Sequence, residues 1–293
     1  MKIAILGKPF GDEIIPYLQS LFDDLARRET EIALVDRFHG YLEGRVRLPA
    51  GIRVFTRGDS LAGVQYVFSI GGDGTLLDTV TYVGAKEIPI LSINTGRLGF
   101  LATTPYDQAL PALDALFRGN YLIDSRSLIR VDSDRDVFDG INFGLNEFAI
   151  LKRDTSSMIV VHTYLDGDYL NSYWADGLVV STPTGSTGYS LSCGGPVVFP
   201  QTNNFVISPV CPHNLNVRPL VVSDNSVISF EIEGRSQNFL VSLDSRSKPV
   251  DAAIQIAVRR EDFAAKLVKP HQVNFLATLR NKLHWGMDRR NSG

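Results

Sequence analysis

The chain has 293 residues, of which 44% are hydrophobic and 21% charged, and its formal net charge is −3. This composition excludes disorder as the main state, because the apolar fraction is sufficient for a core in one large or two medium domains. The small net charge excludes a global field that attracts nucleic acid or anionic lipid, so any phosphate recognition must be local.

The first 120 residues alternate between short β-branched runs and longer amphipathic stretches, which is typical of parallel strands joined by crossover helices. The predicted strands are residues 2–6, 31–35, 53–56, 64–70 and 88–93. The predicted helices are residues 12–28, 75–84 and 105–117. The pattern therefore predicts an α/β, Rossmann-like domain over residues 1–120.

After residue 120 the pattern changes to short alternating runs separated by turn residues, which is typical of antiparallel β structure. The predicted strands are residues 127–131, 142–151, 158–165, 178–181, 206–209, 227–232, 239–243 and 254–258. Helical spacing returns at residues 273–283. We predict an all-β, β-sandwich-like domain over residues 121–269, and a C-terminal segment, 270–293, whose helix packs back on the first domain.

One predicted strand ends directly in Gly-Gly-Asp-Gly-Thr, residues 71–75, and continues into a helical pattern. The glycines let the backbone approach a ligand, and the free N–H groups of the helix N-terminus suit phosphate oxygens. A carboxylate repels anions, so Asp73 is better interpreted as a base that accepts a proton from an attacking hydroxyl, with Mg²⁺ sharing the phosphate charge. The alternative is an ordinary strand-to-helix turn.

A second glycine-rich loop, Asn-Thr-Gly-Arg-Leu-Gly-Phe at residues 94–100, follows the next strand along the chain. Ligands of open α/β sheets bind at the carboxyl ends of the strands, so we expect both loops to contribute to one crevice. A turn with an exposed Arg97 and a buried Phe100 explains this sequence equally well.

Asn146 and Glu147 are adjacent polar residues in the middle of an otherwise apolar predicted strand. Strand alternation would direct one side chain toward the core and the other away, whereas a bulge or a strand end would present both to a ribose or an adenine. An exposed sheet edge is the alternative interpretation.

Residues 177–217 contain no Asp, Glu, Lys or Arg, and the segment 175–196 is rich in Gly, Pro, Ser and Thr. Dense hydroxyls and backbone amides without charge suit a neutral polar pocket for a nucleoside, on whose base Tyr189 could stack. The alternative is a linker that faces solvent.

The remaining sequence features are less informative about function. The five histidines are scattered without metal-ligand spacing, so no zinc site is predicted. Cys193 and Cys211 are interpreted as two thiols in a reducing compartment, with a disulfide between them as the alternative. The apolar run at the N-terminus is too short for a signal peptide and no stretch reaches the length of a membrane span, so we expect a cytoplasmic location.

The motifs GGDGT, NTGRLGF, NE, STPTGSTGYSLSCGGP and SPVCPHNLNVRPLVV, in this order over most of residues 64–222, resemble the NAD kinase family. The resemblance implies ATP-dependent phosphorylation of the 2′-hydroxyl on the adenosine ribose of NAD⁺, which gives NADP⁺. It implies NAD⁺ and ATP as small-molecule substrates, Mg²⁺ or another divalent cation with the ATP, and a homodimer or homotetramer. It implies no nucleic-acid or membrane partner.

The resemblance also assigns roles to individual residues. Asp73 would be the proton acceptor, and no residue is assigned to a metal. The residues assigned to the dinucleotide and the phosphates are Gly71, Gly72, Gly74, Thr75, Asn146, Glu147, Asp176, Thr187, Gly188, Tyr189, Ser190, Leu191, Ser192 and Arg246. Asp78, Trp174 and Arg246 depart from the family's usual residues, which leaves open the choice between ATP and polyphosphate and between NAD⁺ and NADH.

Two other functions are compatible with parts of the sequence. GGDGT also occurs in diacylglycerol, sphingosine and phosphofructokinase-type kinases, so a lipid or sugar kinase is one alternative; it would need an apolar or sugar-sized acceptor pocket. A non-catalytic dinucleotide sensor is the other, and it would be expected to lose Asp73, which is present here.

Overall fold

The computed structural model describes residues 1–96, 99–153, 158–234, 238–270 and 275–284. The chain divides into two compact units. Unit 1 consists of Met1–Asp124 and the chain from Lys266 onward, and unit 2 consists of Ser125–Ala265. Across the described ranges, no helix is both long enough and apolar enough to span a membrane.

Unit 1 is built on a β-sheet whose strands are connected by helices. The strands are β1 (Lys2–Gly7), β2 (Glu31–Val35), β3 (Arg53–Phe55), β4 (Tyr66–Ile70), β5 (Ile90–Asn94), β6 (Thr104–Pro105) and β7 (Tyr121–Arg126). The helices are α1 (Ile15–Arg27), α2 (Asp36–Leu42), α3 (Asp73–Val83) and α4 (Ala109–Phe117). Short 3₁₀ turns, Asp12–Ile14, Gly84–Lys86 and Tyr106–Gln108, adjoin α1, α3 and α4.

The central strands of unit 1 are buried on both faces, as expected for parallel strands covered by helices. In β4, Val67, Phe68 and Ile70 are almost completely buried, and α1 turns Leu21 and Phe22 to the core. The pairings of β1 with β2 and β4, and of β4 with β5, are parallel, so their carboxyl ends lie at one edge of the sheet.

Unit 2 is a sandwich of two six-stranded sheets. Its strands are β8 (Ile129–Ser133), β9 (Phe143–Gly144), β10 (Glu147–Lys152), β11 (Ile159–Leu165), β12 (Asp168–Ala175), β13 (Gly177–Ser181), β14 (Asn204–Val210), β15 (Leu220–Ser223), β16 (Ile228–Gly234), β17 (Asn238–Leu243), β18 (Arg246–Asp251) and β19 (Ile256–Arg260). A 3₁₀ turn (Thr184–Thr187) and the one-turn helix α5 (Tyr189–Ser192) follow β13.

The two sheets of unit 2 share one apolar core. One sheet has the order β15-β14-β13-β10-β17-β18 and the other β12-β11-β16-β19-β8-β9. Phe148, Phe205 and Phe239 from the first sheet and Phe230 from the second belong to the same buried cluster. The alternating apolar residues of antiparallel strands therefore fill the space between two sheets, as in other sandwiches.

The chain returns to unit 1 through β20 (Ala265–Pro270) and α6 (Phe275–Leu283). β20 lies beside β5, where Leu267 pairs in parallel with Ile90, and completes the order β3-β2-β1-β4-β5-β20-β7, with β6 also on β5. The predicted fold class is thus confirmed: an α/β unit, an all-β unit, and a C-terminal helix that belongs to the first unit. The predicted helix 273–283 begins at Phe275 in the described part, and residues 271–274 lie outside it.

Two local predictions were wrong, and one helix was not predicted. The predicted strand 142–151 is two strands, β9 and β10, with a break at Leu145 and Asn146. The predicted helix 105–117 starts at Ala109, because Pro105 pairs with β5 in the sheet and a 3₁₀ turn follows it. Helix α2 was not predicted, since its seven residues include a glycine and are too few to show helical periodicity.

Candidate functional site

The loop between β4 and α3 contains the Gly-Gly-Asp-Gly-Thr motif. Gly71 donates its N–H to the carbonyl of Ile93 at 2.9 Å and has a φ of +151°. A Cβ at this position would overlap the side chain of Thr75, so the turn requires glycine. Helix α3 begins at Asp73, which places this carboxylate in the first turn at the carboxyl edge of the sheet.

The Asp73 carboxylate accepts three backbone hydrogen bonds from the second glycine-rich loop. Its Oδ2 accepts the N–H of Phe100 at 2.8 Å, and its Oδ1 accepts those of Leu101 at 3.2 Å and Ala102 at 2.8 Å. A Cβ on Gly99 would overlap this carboxylate. The two loops therefore meet at Asp73, while Arg97 of the second motif lies outside the described residues.

A cavity of about 460 Å³ opens beside this loop at the ends of β1 and β2. Its lining residues are Leu6, Gly7, Lys8, Pro9, Val35, Arg37, Arg57, Thr75, Asp78, Thr79 and Tyr82. Lys8 forms an ion pair with Asp78, with 2.5 Å between Nζ and Oδ2, and the Arg57 guanidinium lies 4.1 Å from the centre of the Tyr82 ring. Because the described lining has three basic side chains and one acidic one, the cavity suits a polyanion.

In unit 2, the break between β9 and β10 presents Asn146 and Glu147 together at the start of β10. Among the described residues, neither Asn146 Oδ1 nor Glu147 Oε2 has a hydrogen-bond partner, although both atoms are buried. A buried polar atom without a partner is costly. This pair is therefore a candidate for contact with a bound ligand.

Burial raises the pKa of Glu147 from the ordinary 4.5 to about 8. The charge of Asp244 adds to the increase, and the backbone N–H of Tyr189 opposes it. At neutral pH Glu147 is therefore protonated, and its carboxyl can donate a hydrogen bond as well as accept one.

The hydroxyl-rich loop after β13 is attached directly to this pair. Thr182 donates its N–H to the Asn146 carbonyl at 2.8 Å and its Oγ1–H to the Leu145 carbonyl at 2.6 Å. Gly185 donates its N–H to Thr182 Oγ1 at 3.1 Å. Two motifs that are separated in the sequence thus form one surface in unit 2.

Gly185 leaves no space for a larger residue, because a Cβ there would overlap the carbonyl oxygen of Asn146. We expect Gly185→Ala to displace the loop from Asn146 and to lower the free energy of unfolding by about 1–3 kcal/mol. Urea unfolding measures this. Gly40→Ala is the control, since in the described part of the chain no neighbouring atom lies within 4 Å of a Cβ at that helical position. Equal stability of both variants would contradict the prediction.

Several hydroxyls of this loop are directed inward. Ser186 donates to the Pro183 carbonyl at 2.7 Å, and Ser190 shares a hydrogen bond of 2.9 Å with Ser208. Both side chains are buried. Of the other residues that the sequence assigns to the dinucleotide here, Ser192 is exposed. The half-buried ones are Thr187, Gly188, Tyr189 and Leu191. Tyr189 packs beside Ala149, Val179, Val210 and Cys193.

Asp176 and Arg246 already have partners within unit 2. Lys152 Nζ lies 2.6 Å from Asp176 Oδ1. Arg246 donates Nη1–H to the Ile141 carbonyl at 2.6 Å and Nη2–H to the Phe143 carbonyl at 2.5 Å. The Arg246 guanidinium thus supports the backbone around β9, and its assignment to the dinucleotide stays a prediction.

Asp244 is a site residue that the sequence interpretation did not identify. Its carboxylate accepts the backbone N–H groups of Leu145, Asn146 and Glu147. Burial raises its pKa above the ordinary value, against the lowering effect of these three amides. In the sequence, Asp244 stands in Leu-Asp-Ser-Arg between two predicted strands, which is indistinguishable from an ordinary turn signal.

The described residues contain no group of three or more His, Cys, Asp or Glu side chains placed to hold a metal ion. Mg²⁺ takes oxygen ligands and commonly binds through one or two carboxylates together with substrate phosphates. Among the described lining residues of the 460 Å³ cavity, Asp78 is the one that carries a carboxylate. The residues present therefore fit a Mg²⁺ ion that arrives with a polyphosphate.

Comparison with known proteins identifies relatives over the full chain. The family model described as the ATP-NAD kinase N-terminal domain matches residues 19–121, and that of the ATP-NAD kinase C-terminal domain matches residues 145–269. A Cytophaga hutchinsonii protein named NAD kinase is 53% identical and covers 99% of this chain and 100% of its own. A Flavobacterium psychrophilum protein of the same name is 42% identical with the same coverage.

Solved structures show the same fold. The structure of an NAD kinase from Archaeoglobus fulgidus in complex with ATP has a TM-score of 0.73 and 26% identity, and covers 97% of this chain and 99% of its own. Yeast NADH kinase complexed with NADH has a TM-score of 0.88 and covers 100% of this chain and 90% of its own. At 21% identity, the latter likeness concerns the fold alone.

Proposed function

The chain belongs to the NAD kinase family, and on this premise we propose that it transfers the terminal phosphoryl group of ATP to the 2′-hydroxyl of the adenosine ribose of NAD⁺. The products are NADP⁺ and ADP. The observation that supports this most directly is the pair of buried oxygens on Asn146 and Glu147 that lack partners among the described residues, beside the hydroxyl-rich loop.

Unit 2 supplies groups for the acceptor nucleoside. Asn146 Oδ1 accepts a hydrogen bond from a ribose hydroxyl or from the amino group of adenine. Glu147, which is protonated at neutral pH, donates to a nucleoside acceptor. Half-buried Tyr189 offers a ring for base stacking. Neutral groups of this kind select a nucleoside over a lipid, since a lipid acceptor would leave them unsatisfied.

Unit 1 supplies the base and the groups for the phosphate donor. The ATP phosphates occupy the cavity lined by Lys8, Arg37 and Arg57, next to the N-terminus of α3. Asp78, which is paired with Lys8, would be the carboxylate of this lining that could hold a Mg²⁺ ion arriving with the phosphates, and the ion would supply charge neutralisation there.

Asp73 is the proton acceptor. As the ribose 2′-oxygen forms its bond to the γ-phosphorus, its proton passes to the Asp73 carboxylate and the bond from the γ-phosphorus to the β,γ-bridging oxygen breaks. ADP leaves with that bond's electron pair. The three amides of Phe100, Leu101 and Ala102 hold the carboxylate in one orientation, which leaves Oδ2 with a single hydrogen bond among the described contacts.

One assay tests the proposed function. The purified full chain is incubated with ATP, Mg²⁺ and NAD⁺, and NADP⁺ is measured with an NADP⁺-specific dehydrogenase. We expect NADP⁺ to form. Absence of NADP⁺ together with phosphorylation of a lipid or sugar would overturn the proposal in favour of another kinase. Binding of NAD⁺ without turnover would favour a dinucleotide sensor. Parallel reactions with NADH and polyphosphate define the acceptor and donor range.

The basic side chains of the 460 Å³ cavity give a separate prediction. We expect Arg37→Ala to raise the KM for ATP about tenfold to a hundredfold and to leave the KM for NAD⁺ unchanged, because a charged hydrogen bond to phosphate contributes about 1.5–3 kcal/mol. Steady-state kinetics with each substrate varied measures this. Arg47→Ala, an exposed arginine outside the cavity, is the control. A rise in the KM for NAD⁺ alone would place the donor elsewhere.

Family membership further supports a cytoplasmic homodimer or homotetramer that acts on small molecules, without a nucleic-acid or membrane partner. Sedimentation equilibrium measures the oligomeric state, and we expect a dimer or tetramer mass at micromolar concentration.

A further inference from the structure

Asp244 lies in the tight turn between β17 and β18, where Leu243 pairs with Arg246. Its φ of +52° is in the left-handed region, which Asp tolerates better than most other residues. The turn therefore keeps an acidic residue in a defined orientation at the end of a hairpin.

This turn holds both sides of the break between β9 and β10. Asp244 Oδ2 accepts the N–H of Leu145 at 2.8 Å, and Oδ1 accepts those of Asn146 at 2.8 Å and Glu147 at 3.2 Å. In return, Asp244 donates its own N–H to the Glu147 carbonyl at 2.9 Å. Three consecutive amides that converge on one carboxylate fix the backbone of this segment in one conformation.

The neighbouring residues support the same arrangement. Arg246 donates to the carbonyls of Ile141 and Phe143, upstream of the break. A Cβ on Gly144 would approach Asp244 Oδ1 to 2.9 Å, so glycine makes room for the carboxylate. β9 pairs with β8 in one sheet and β10 pairs with β13 and β17 in the other, so the chain passes between the two sheets at Leu145 and Asn146. The hairpin end holds the backbone at that crossing.

We propose that Asp244 is a positioning residue for NAD⁺ binding, which acts by holding the backbone of Asn146 and Glu147 so that both side chains face the nucleoside. This inference rests on the proposed function. A residue with a merely structural role would lower stability and impair all kinetic parameters together. A positioning residue weakens NAD⁺ binding selectively and leaves the KM for ATP unchanged.

The test compares Asp244 with a matched turn residue. Asp166 also has a positive φ, +53°, and also exchanges two hydrogen bonds with one partner: its Oδ1 accepts the N–H of Val227 at 2.8 Å, and its N–H donates to the Val227 carbonyl at 2.9 Å. It lies between β11 and β12, away from the Asn146–Glu147 pair in the sheet order. Asp166→Asn and Asp166→Ala therefore remove the same kind of contact without touching the site.

NAD⁺ affinity is measured by calorimetry on the full chain, and KM for ATP and kcat by steady-state kinetics. We expect Asp244→Ala to weaken NAD⁺ binding tenfold or more, by roughly 1.4 kcal/mol or more. Asp244→Asn, whose one carbonyl oxygen can still accept two of the amides, should weaken it less. The KM for ATP should be unchanged in both, and the Asp166 variants should bind NAD⁺ as wild type does.

Wild-type NAD⁺ affinity in folded Asp244→Asn and Asp244→Ala would overturn the inference and leave the proposed function intact. Proportional increases in the Kd for NAD⁺ and the KM for ATP would also overturn it, since they indicate a structural role. If Asp244→Ala does not fold, Asp244→Asn decides. Failure of the wild-type protein to bind NAD⁺ would overturn the proposed function, and this inference with it.

Discussion

Replacement of Asp73 by asparagine is expected to reduce kcat by about 10² to 10⁴ while NAD⁺ affinity is retained, because an amide cannot accept the proton of the attacking hydroxyl. Positioning and electrostatic stabilisation of the phosphoryl group would supply the residual rate. The measurement is the initial rate of NADP⁺ formation at saturating ATP and NAD⁺, together with calorimetric NAD⁺ binding.

Asp73→Asn also changes the hydrogen bonds at this position, and their effect on stability must be distinguished from the effect of losing the base. In Asp73→Asn, the amide nitrogen of the new side chain would face either the N–H of Phe100 or those of Leu101 and Ala102, all of which are donors. Thermal unfolding therefore accompanies the kinetics. Asp107→Asn, an exposed acid in the 3₁₀ turn before α4, is the matched control. Full activity in a folded Asp73→Asn enzyme would falsify the assignment of the base.

The fold class could be predicted from the sequence, because the spacing of apolar residues along each helix or strand indicates which of its faces are buried. The runs that became β1, β2 and β4 are continuous and apolar, and they are covered on both faces in the α/β sheet. β20 could not be predicted, because its six residues gain their place by lying between β5 and β7, far away in the sequence. Long-range pairing of this kind leaves little local signal.

The sequence showed the motifs of the candidate site, but it did not show the hydrogen bonds that connect them. The glycine-rich loops, Asn146 and Glu147 were singled out from local sequence, yet the backbone at the break is hydrogen-bonded to Asp244, which lies 99 residues after Leu145. The expectation that the loop hydroxyls face the nucleoside did not anticipate that Ser190 bonds to Ser208 in the interior. The charge-free segment 177–217 therefore also has a structural reason: several of its polar groups are buried, where charge is costly.

Glu147 is expected to make the stability of the ligand-free protein fall as pH rises. Its pKa is 4.5 when exposed and about 8 in the folded chain. Below pH 4.5 the carboxyl is protonated in both states and has no effect. Between pH 4.5 and 8 it ionises only in the unfolded chain, so the folded state binds more protons and loses stability relative to the unfolded state as pH increases. Above pH 8 the carboxyl is ionised in both states, and the folded state bears the full cost of burying its charge.

Glu147→Gln removes this contribution, since a carboxamide stays neutral at every pH. At about 1.4 kcal/mol per pH unit, the unfolding free energy of the wild type should decline by roughly 4 kcal/mol more than that of the variant between about pH 5 and pH 9. Urea unfolding across this range measures the difference, with Glu231→Gln as the control for removing an exposed glutamate from β16.

Other titratable groups surround the site: Asp244, Asp176, Tyr189 and Cys193. They are present in both proteins, so their contributions to the pH dependence cancel to first order. Parallel pH profiles for wild type and Glu147→Gln would show that Glu147 is ionised in the folded chain and would remove its proposed role as a hydrogen-bond donor to the nucleoside.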